Sequence, residues 1–105
     1  MLHIYPVTLQ VARDASGLAT RIQRHDPDLA RQLRRAVTSV PLNTAEGAGS
    51  FGGNRKSRYT QALGSAREVD AIYDTAVAMG YLAEPAPEVR TRLSHVIAVL
   101  VKVTR

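Results

Sequence analysis

Along the first segment, Ile4, Val7, Val11, Ala15, Leu18 and Ile22 recur in steps of three and four, the narrow apolar stripe of a helix in a bundle. Pro6 stands where a first helical turn tolerates it, and the pattern fades at His25. A second start follows at once: Asp26 can cap, Pro27 takes the first helical position, and Asp28 lies in the positive first turn. Leu29, Leu33, Ala36, Val37 and Val40 make the second stripe. Pro41 lacks an amide donor and crowds the carbonyl of Val37, which predicts a kink in a helix that continues through Ala45 and Glu46. Four glycines in the seven positions from Gly47 to Gly53 then break the pattern. Asn54 is placed to cap a long third helix with Tyr59, Leu63, Ala66, Val69, Tyr73 and Ala76 on one side. A neighbouring side carries Ala62, Ile72 and Met79, an apolar surface wider than one partner helix needs. Gly80 ends that helix, Tyr81–Pro87 is a connector, and Val89, Leu93, Val96, Ile97, Leu100 and Val103 form a fourth stripe. No run shows strict alternation with hairpin turn chemistry. The expected fold is therefore all-α, an antiparallel up-down four-helix bundle with a kinked second helix, in one domain over residues 1–105.

Composition narrows what such a bundle can do. The chain has 105 residues, 45% of them hydrophobic but only 5% aromatic, so its core is built from short aliphatic side chains. A chain of this size hides surface only moderately well, which makes self-association an expectation. Cysteine is absent, excluding disulfides, thiolate catalysis and Cys-based zinc sites. No Glu-x-x-His element of a bundle metal site occurs, and no cofactor is expected. No stretch has the apolar length of a membrane span and the first residues do not read as a signal peptide, so a cytoplasmic protein with no membrane partner is expected.

The net charge is +5, and it is unevenly placed. Residues 1–67 hold ten basic and four acidic side chains, whereas residues 68–105 hold four and five. An anionic partner, nucleic acid foremost, accounts for this asymmetry; the plain alternative is an arginine-rich composition set by base content of the coding sequence.

Gly47-Ala48-Gly49-Ser50-Phe51-Gly52 matches G-x-G-x-x-G literally, with Asp70 at a suitable distance, but that fingerprint needs a strand before it. A helix precedes Gly47, and Arg55 rather than glycine precedes Lys56-Ser57, so neither a dinucleotide site nor a P-loop is expected. The same loop runs into Arg55, Lys56 and Arg58, three cations at a helix start where a bound anion would satisfy both them and the free amides. Arg31, Arg34 and Arg35 form the next basic cluster, with Arg35 close enough to the apolar stripe to pair with an acid. Arg31, Arg34, Arg55, Lys56 and Arg58 are the expected phosphate contacts; their plain alternative is a solvated charged surface. Glu46 and Glu68, set among small or apolar neighbours, are expected to take a salt-bridge or hydrogen-bond partner inside the bundle. Gly64-Ser65 in mid-helix suggests the close approach of another backbone.

From Leu33 to Leu82 the chain resembles a known family. Ser39-Val40-Pro41-Leu42-Asn43-Thr44-Ala45-Glu46-Gly47, preceded by Arg34 and Arg35, is similar to a helix-two signature Ser-x-Pro-x-Asn-x-x-Glu-Gly. Gly64-Ser65-Ala66-Arg67-Glu68 resembles its Gly-Ser-x-x-Glu element, and Met79-Gly80-Tyr81 its Leu-Gly-Tyr helix ending. Val40 and Thr44 depart from the usual isoleucine and apolar residue. The family comprises four-helix bundle proteins related to the 23S rRNA intervening-sequence protein, including the accessory variability determinant of diversity-generating retroelements. The resemblance implies a homopentamer around a central channel, a basic surface for RNA or DNA and, in retroelements, a reverse-transcriptase partner. It makes Glu46, Gly47, Gly64, Ser65 and Glu68 architectural rather than catalytic positions.

The expectation is thus a non-enzymatic, oligomeric, nucleic-acid-binding bundle. Two rivals stand beside it. One is a protein-interaction scaffold without direct nucleic-acid contact. The other is a HEPN-like ribonuclease using the Arg-x4-His string formed by Arg90 and His95.

Overall fold

Asp26 accepts a hydrogen bond of 3.0 Å from the Leu29 amide, and with Pro27 next in line it starts a helix where the capping chemistry predicts one. The protein, a computed structural model describing residues 3–105, has four helices: α1 (Tyr5–Gln23), α2 (Pro27–Ala48), α3 (Gly52–Ala78) and α4 (Pro87–Val103). Helix α3 packs on α2 and on α4, and α1 closes the bundle between α2 and α4. The fold is an all-α four-helix bundle.

A step of seven residues back along α2, from Glu46 to Ser39, matches seven forward along α3, from Arg58 to Ser65, because both cross-helix pairs are bonded. Helices α2 and α3 therefore run in opposite directions, joined by the three residues Gly49–Phe51. Helix α2 passes through Pro41 without interruption, and Pro41 is buried.

The far end of α3 stops as expected. Gly80 takes φ +78°, a conformation that costs any side-chain-bearing residue, while Tyr81 and Gly80 donate amide hydrogen bonds to the carbonyls of Ala76 and Val77. The start of α3 differs from the sequence expectation. Phe51, not Asn54, is the residue before the helix, with no side-chain cap, and Gly52 and Gly53 are already helical. Asn54 instead donates to Ser50 Oγ across the turn. Gly52 opens the helix at φ +57°, a turn that glycine makes without strain.

The core differs in detail from the stripes. In α1 the buried face is Thr8, Val11, Ala15, Ala19 and Ile22, continued by Ile4 just before the helix, with Val7 and Leu18 only half-buried. Thr8 and Thr44 enter the core because each hydroxyl donates back to a carbonyl of its own helix, that of Tyr5 and that of Val40. Seven alanines are buried, and small side chains let the helices approach closely. The wide apolar side of α3 is used inside the bundle: Ala62, Leu63, Ile72 and Tyr73 are all covered. It no longer argues for a subunit interface. Met79, expected on that side, is exposed beyond the helix end. In α4 only Leu93, Val96 and Leu100 are fully buried, since the helix has partners on one side alone.

Candidate nucleic-acid interface

Each basic residue singled out on the α2–α3 hairpin lies on its outer surface, but they are not equivalent. Arg31 pairs with Asp28 one turn earlier, and Arg58 pairs with Glu46 across the hairpin at 2.9 Å. Arg34, Arg35, Arg55 and Lys56 are exposed and form no ion pair with any described residue. Arg55 is held all the same. Its Nε donates to the Ser50 carbonyl at 2.8 Å, and its guanidinium lies 5.7 Å from the centre of the Phe51 ring. The unpaired cations form two stations on one hairpin. Arg55 and Lys56 sit at its tip, while Arg35 lies about 20 Å from it at the rise of an α-helix.

Between the stations runs the groove of α2 and α3, and the signature residues line it. Ser65 donates to Ser39 Oγ at 2.8 Å, and Asn43 Nδ2 donates to the same oxygen at 2.9 Å and to the Ser39 carbonyl. Beside this chain opens a shallow pocket of about 260 Å³ bordered by Gln32, Arg35, Ser39, Ser65 and Glu68. Glu46 and Glu68 were expected inside the bundle, yet both are exposed. Their small neighbours belong to the buried side of each helix, and the carboxylates project from the other. Glu46 takes Arg58, whereas Glu68 has no ion-pair partner among the described residues and borders the pocket with Arg35. Gly64 was expected to meet another backbone; within the chain an added Cβ would meet nothing within 4 Å.

On the opposite face Arg90 and Arg92 are engaged by carboxylates. Arg90 bonds Asp70 at 2.7 Å, Asp74 at 2.9 Å and Glu84 at 2.8 Å, and lies 5.5 Å from the Tyr73 ring centre. The hydrogen bond to Glu84, with those to Asp70 and Asp74, outweighs desolvation and makes its proton still harder to remove. Arg92 grips Asp14 with two bonds of 2.8 Å, tying α4 to α1. The Tyr73 hydroxyl is buried without a hydrogen-bond partner among the described residues. Burial, reinforced by the Asp14 carboxylate, pushes its phenol above the ordinary value, with Arg90 pulling back. These pairs join residues 6 to 78 positions apart, beyond any local spacing rule.

The ribonuclease pair is not assembled within the chain. Arg90 is engaged by three carboxylates, and His95, five residues on and so about 140° around the helix, is exposed. Among the described residues no strand occurs, so the glycine-rich string is a helix-to-helix turn, and no cluster of His, Asp and Glu could hold a metal ion. His25 stacks on Tyr81, 5.2 Å between ring centres, joining two connectors. Sequence reasoning assigned Phe51 no role; its 83% exposure is the signal the structure adds.

The family model described as 23S rRNA-intervening sequence protein matches residues 2–102, nearly the whole chain. The chain belongs to the 23S rRNA-intervening sequence protein family. A solved structure from Bacteroides thetaiotaomicron, described as a protein with unknown function from the S23 ribosomal protein family, is 15% identical. It superposes with a TM-score of 0.86 over 97% of this chain and 98% of its own, which shows the shared fold. No curated protein matches. In this member of the 23S rRNA-intervening sequence protein family, Arg35, Ser39, Asn43, Ser65 and Glu68 edge the α2–α3 groove, and Gly47 underlies its tip end. No helix of the described residues is long and apolar enough to cross a membrane.

Proposed function

We propose that the chain is a non-enzymatic, self-associating bundle protein that binds the phosphate backbone of RNA or DNA through its α2–α3 hairpin. One observation carries the reading: Arg34, Arg35, Arg55 and Lys56 stand exposed and unpaired there, while Arg90 and Arg92 on the other face are neutralised by Asp14, Asp70, Asp74 and Glu84. The intramolecular pairs thus leave these four hairpin cations free for an anionic partner. The description of the family points to an rRNA setting and favours RNA. Contacts to phosphate position a protein without reading sequence, so binding is weakly sequence-specific. Self-association is supported by exposed Leu42 on the outer face of α2 and by the unused space over Gly64.

A mobility-shift titration tests the reading. The wild-type chain retards labelled RNA and DNA at low salt, and a variant with alanine at Arg34, Arg35, Arg55 and Lys56 does not. Wild-type protein that retards neither removes the proposal and leaves the protein-scaffold reading in its place.

A further inference from the structure

Phe51 is the chain's one phenylalanine and, at 83% exposure, the most exposed large apolar side chain among the described residues. A ring left this far in water at the tip of a hairpin contributes nothing to the core. Its surroundings point to what it meets. The Arg55 guanidinium covers one side of the ring at 5.7 Å and is held in place by the Ser50 carbonyl. Lys56 is the next residue, and the first turn of α3 has no acidic side chain. The nearest acid on α2, Glu46, is bonded to Arg58. The backbone holds the ring outward: Phe51 is extended, and Gly52 at φ +57° turns the chain into the helix behind it.

We propose that Phe51 is a stacking platform for an unpaired base, so that the ligand of the hairpin tip is single-stranded or looped RNA or DNA rather than duplex. This deepens the phosphate-binding reading and rests on it. One side of the ring has its cation; the other is open to a base, with Arg55 and Lys56 beside it for the adjoining phosphates. Aromatic side chains stack on any base because every base has a π-face, and cations alongside follow the backbone. A duplex hides its base faces in its own stack, so it can use the cations but not the ring. Purely apolar packing against a protein partner would use the ring too, but would leave the two unpaired cations beside it without a counter-charge.

Fluorescence anisotropy with an unstructured single strand and a blunt duplex of equal length separates these contributions. Phe51→Ala, a surface change whose folding is checked by circular dichroism, weakens single-strand binding about tenfold or more. It leaves duplex binding within about twofold, since phosphate contacts carry that affinity. Arg55→Ala with Lys56→Ala weakens both ligands. The chain has no tryptophan, so Phe51→Trp places a sole indole at the tip, and the single strand quenches its fluorescence while the duplex does not. A wild type that binds while Phe51→Ala binds both ligands equally well, or an unquenched indole, overturns the stacking platform alone. A wild type that binds neither ligand overturns the phosphate-binding reading and this inference with it.

Discussion

Gly47 leaves the space that the Tyr59 ring fills: a Cβ at position 47 would lie 2.4 Å from Tyr59 Cε1 and 2.6 Å from Cδ1. This close approach locks the end of α2 onto the first turns of α3, below the tip that carries Arg55 and Lys56. The ring belongs to a buried residue, so it has little room to withdraw. Gly47→Ala is expected to destabilise the chain by about 1–3 kcal/mol, the usual range for overpacking. Thermal or urea unfolding measures it, and adding Tyr59→Leu returns part of the loss, because the clash and the ring are one interaction.

Arg90 gathers acids from α3 and from the connector before α4. Its side chain is 22% exposed, while Asp70, Asp74 and Glu84 are 43%, 70% and 61% exposed, so solvent screens much of each pair. Arg90→Ala is expected to cost about 1–2 kcal/mol, part of it from three carboxylates left facing one another. Urea denaturation with and without high salt checks this: salt narrows the gap between variant and wild type by screening that repulsion.

Tyr73 supplies a pH dependence. Its folded phenol holds its proton above the ordinary value of about 10, so above that pH the unfolded chain binds fewer protons than the folded one. Stability associated with this group is full below about pH 10 and falls as pH rises towards the folded value, by about 1.4 kcal/mol per pH unit. Tyr73→Phe removes that slope in unfolding free energy measured between pH 9 and 11. At neutral pH it costs little, since the hydroxyl it removes has no partner among the described residues.

Gly64 separates the stability of the chain from the proposed self-association. An exposed mid-helix glycine costs about 1 kcal/mol relative to alanine, and nothing in the chain uses the missing side chain. If a second copy uses that space, Gly64→Ala raises the unfolding midpoint of dilute protein yet shifts the assembly towards smaller species in multi-angle light scattering. A wild type that stays monomeric at high concentration contradicts the self-association.

What could be read from residues alone followed local chemistry. Asp26-Pro27-Asp28 and Gly80 fixed helix boundaries because capping acts over three or four residues. The start of α3 was misplaced because Gly52, at φ +57°, turns the chain straight into the helix, so that Phe51 rather than Asn54 precedes it. Thr8 and Thr44 were passed over as polar, since only the folded helix supplies the carbonyls that take up their hydroxyls. The basic hairpin was visible as composition. Its division into paired Arg31 and Arg58 and unpaired Arg34, Arg35, Arg55 and Lys56 was not, because an ion pair such as Arg58–Glu46 depends on register between helices. The same holds for Arg90, whose three acids meet it only after α4 folds back.

Salt dependence of duplex binding is the most direct measurement of the central claim, that unpaired cations on the α2–α3 hairpin meet phosphates. Each phosphate neutralised contributes about −0.9 to the slope of log affinity against log salt concentration. The account predicts a steep wild-type slope that becomes shallower by about 0.9 for each contacting cation removed, when Arg34, Arg35, Arg55 and Lys56 are changed to alanine in turn. It also predicts that Arg90→Lys, at a cation already held by three carboxylates, leaves the slope unchanged. Hairpin variants with the wild-type slope, or a wild-type affinity indifferent to salt, would contradict it.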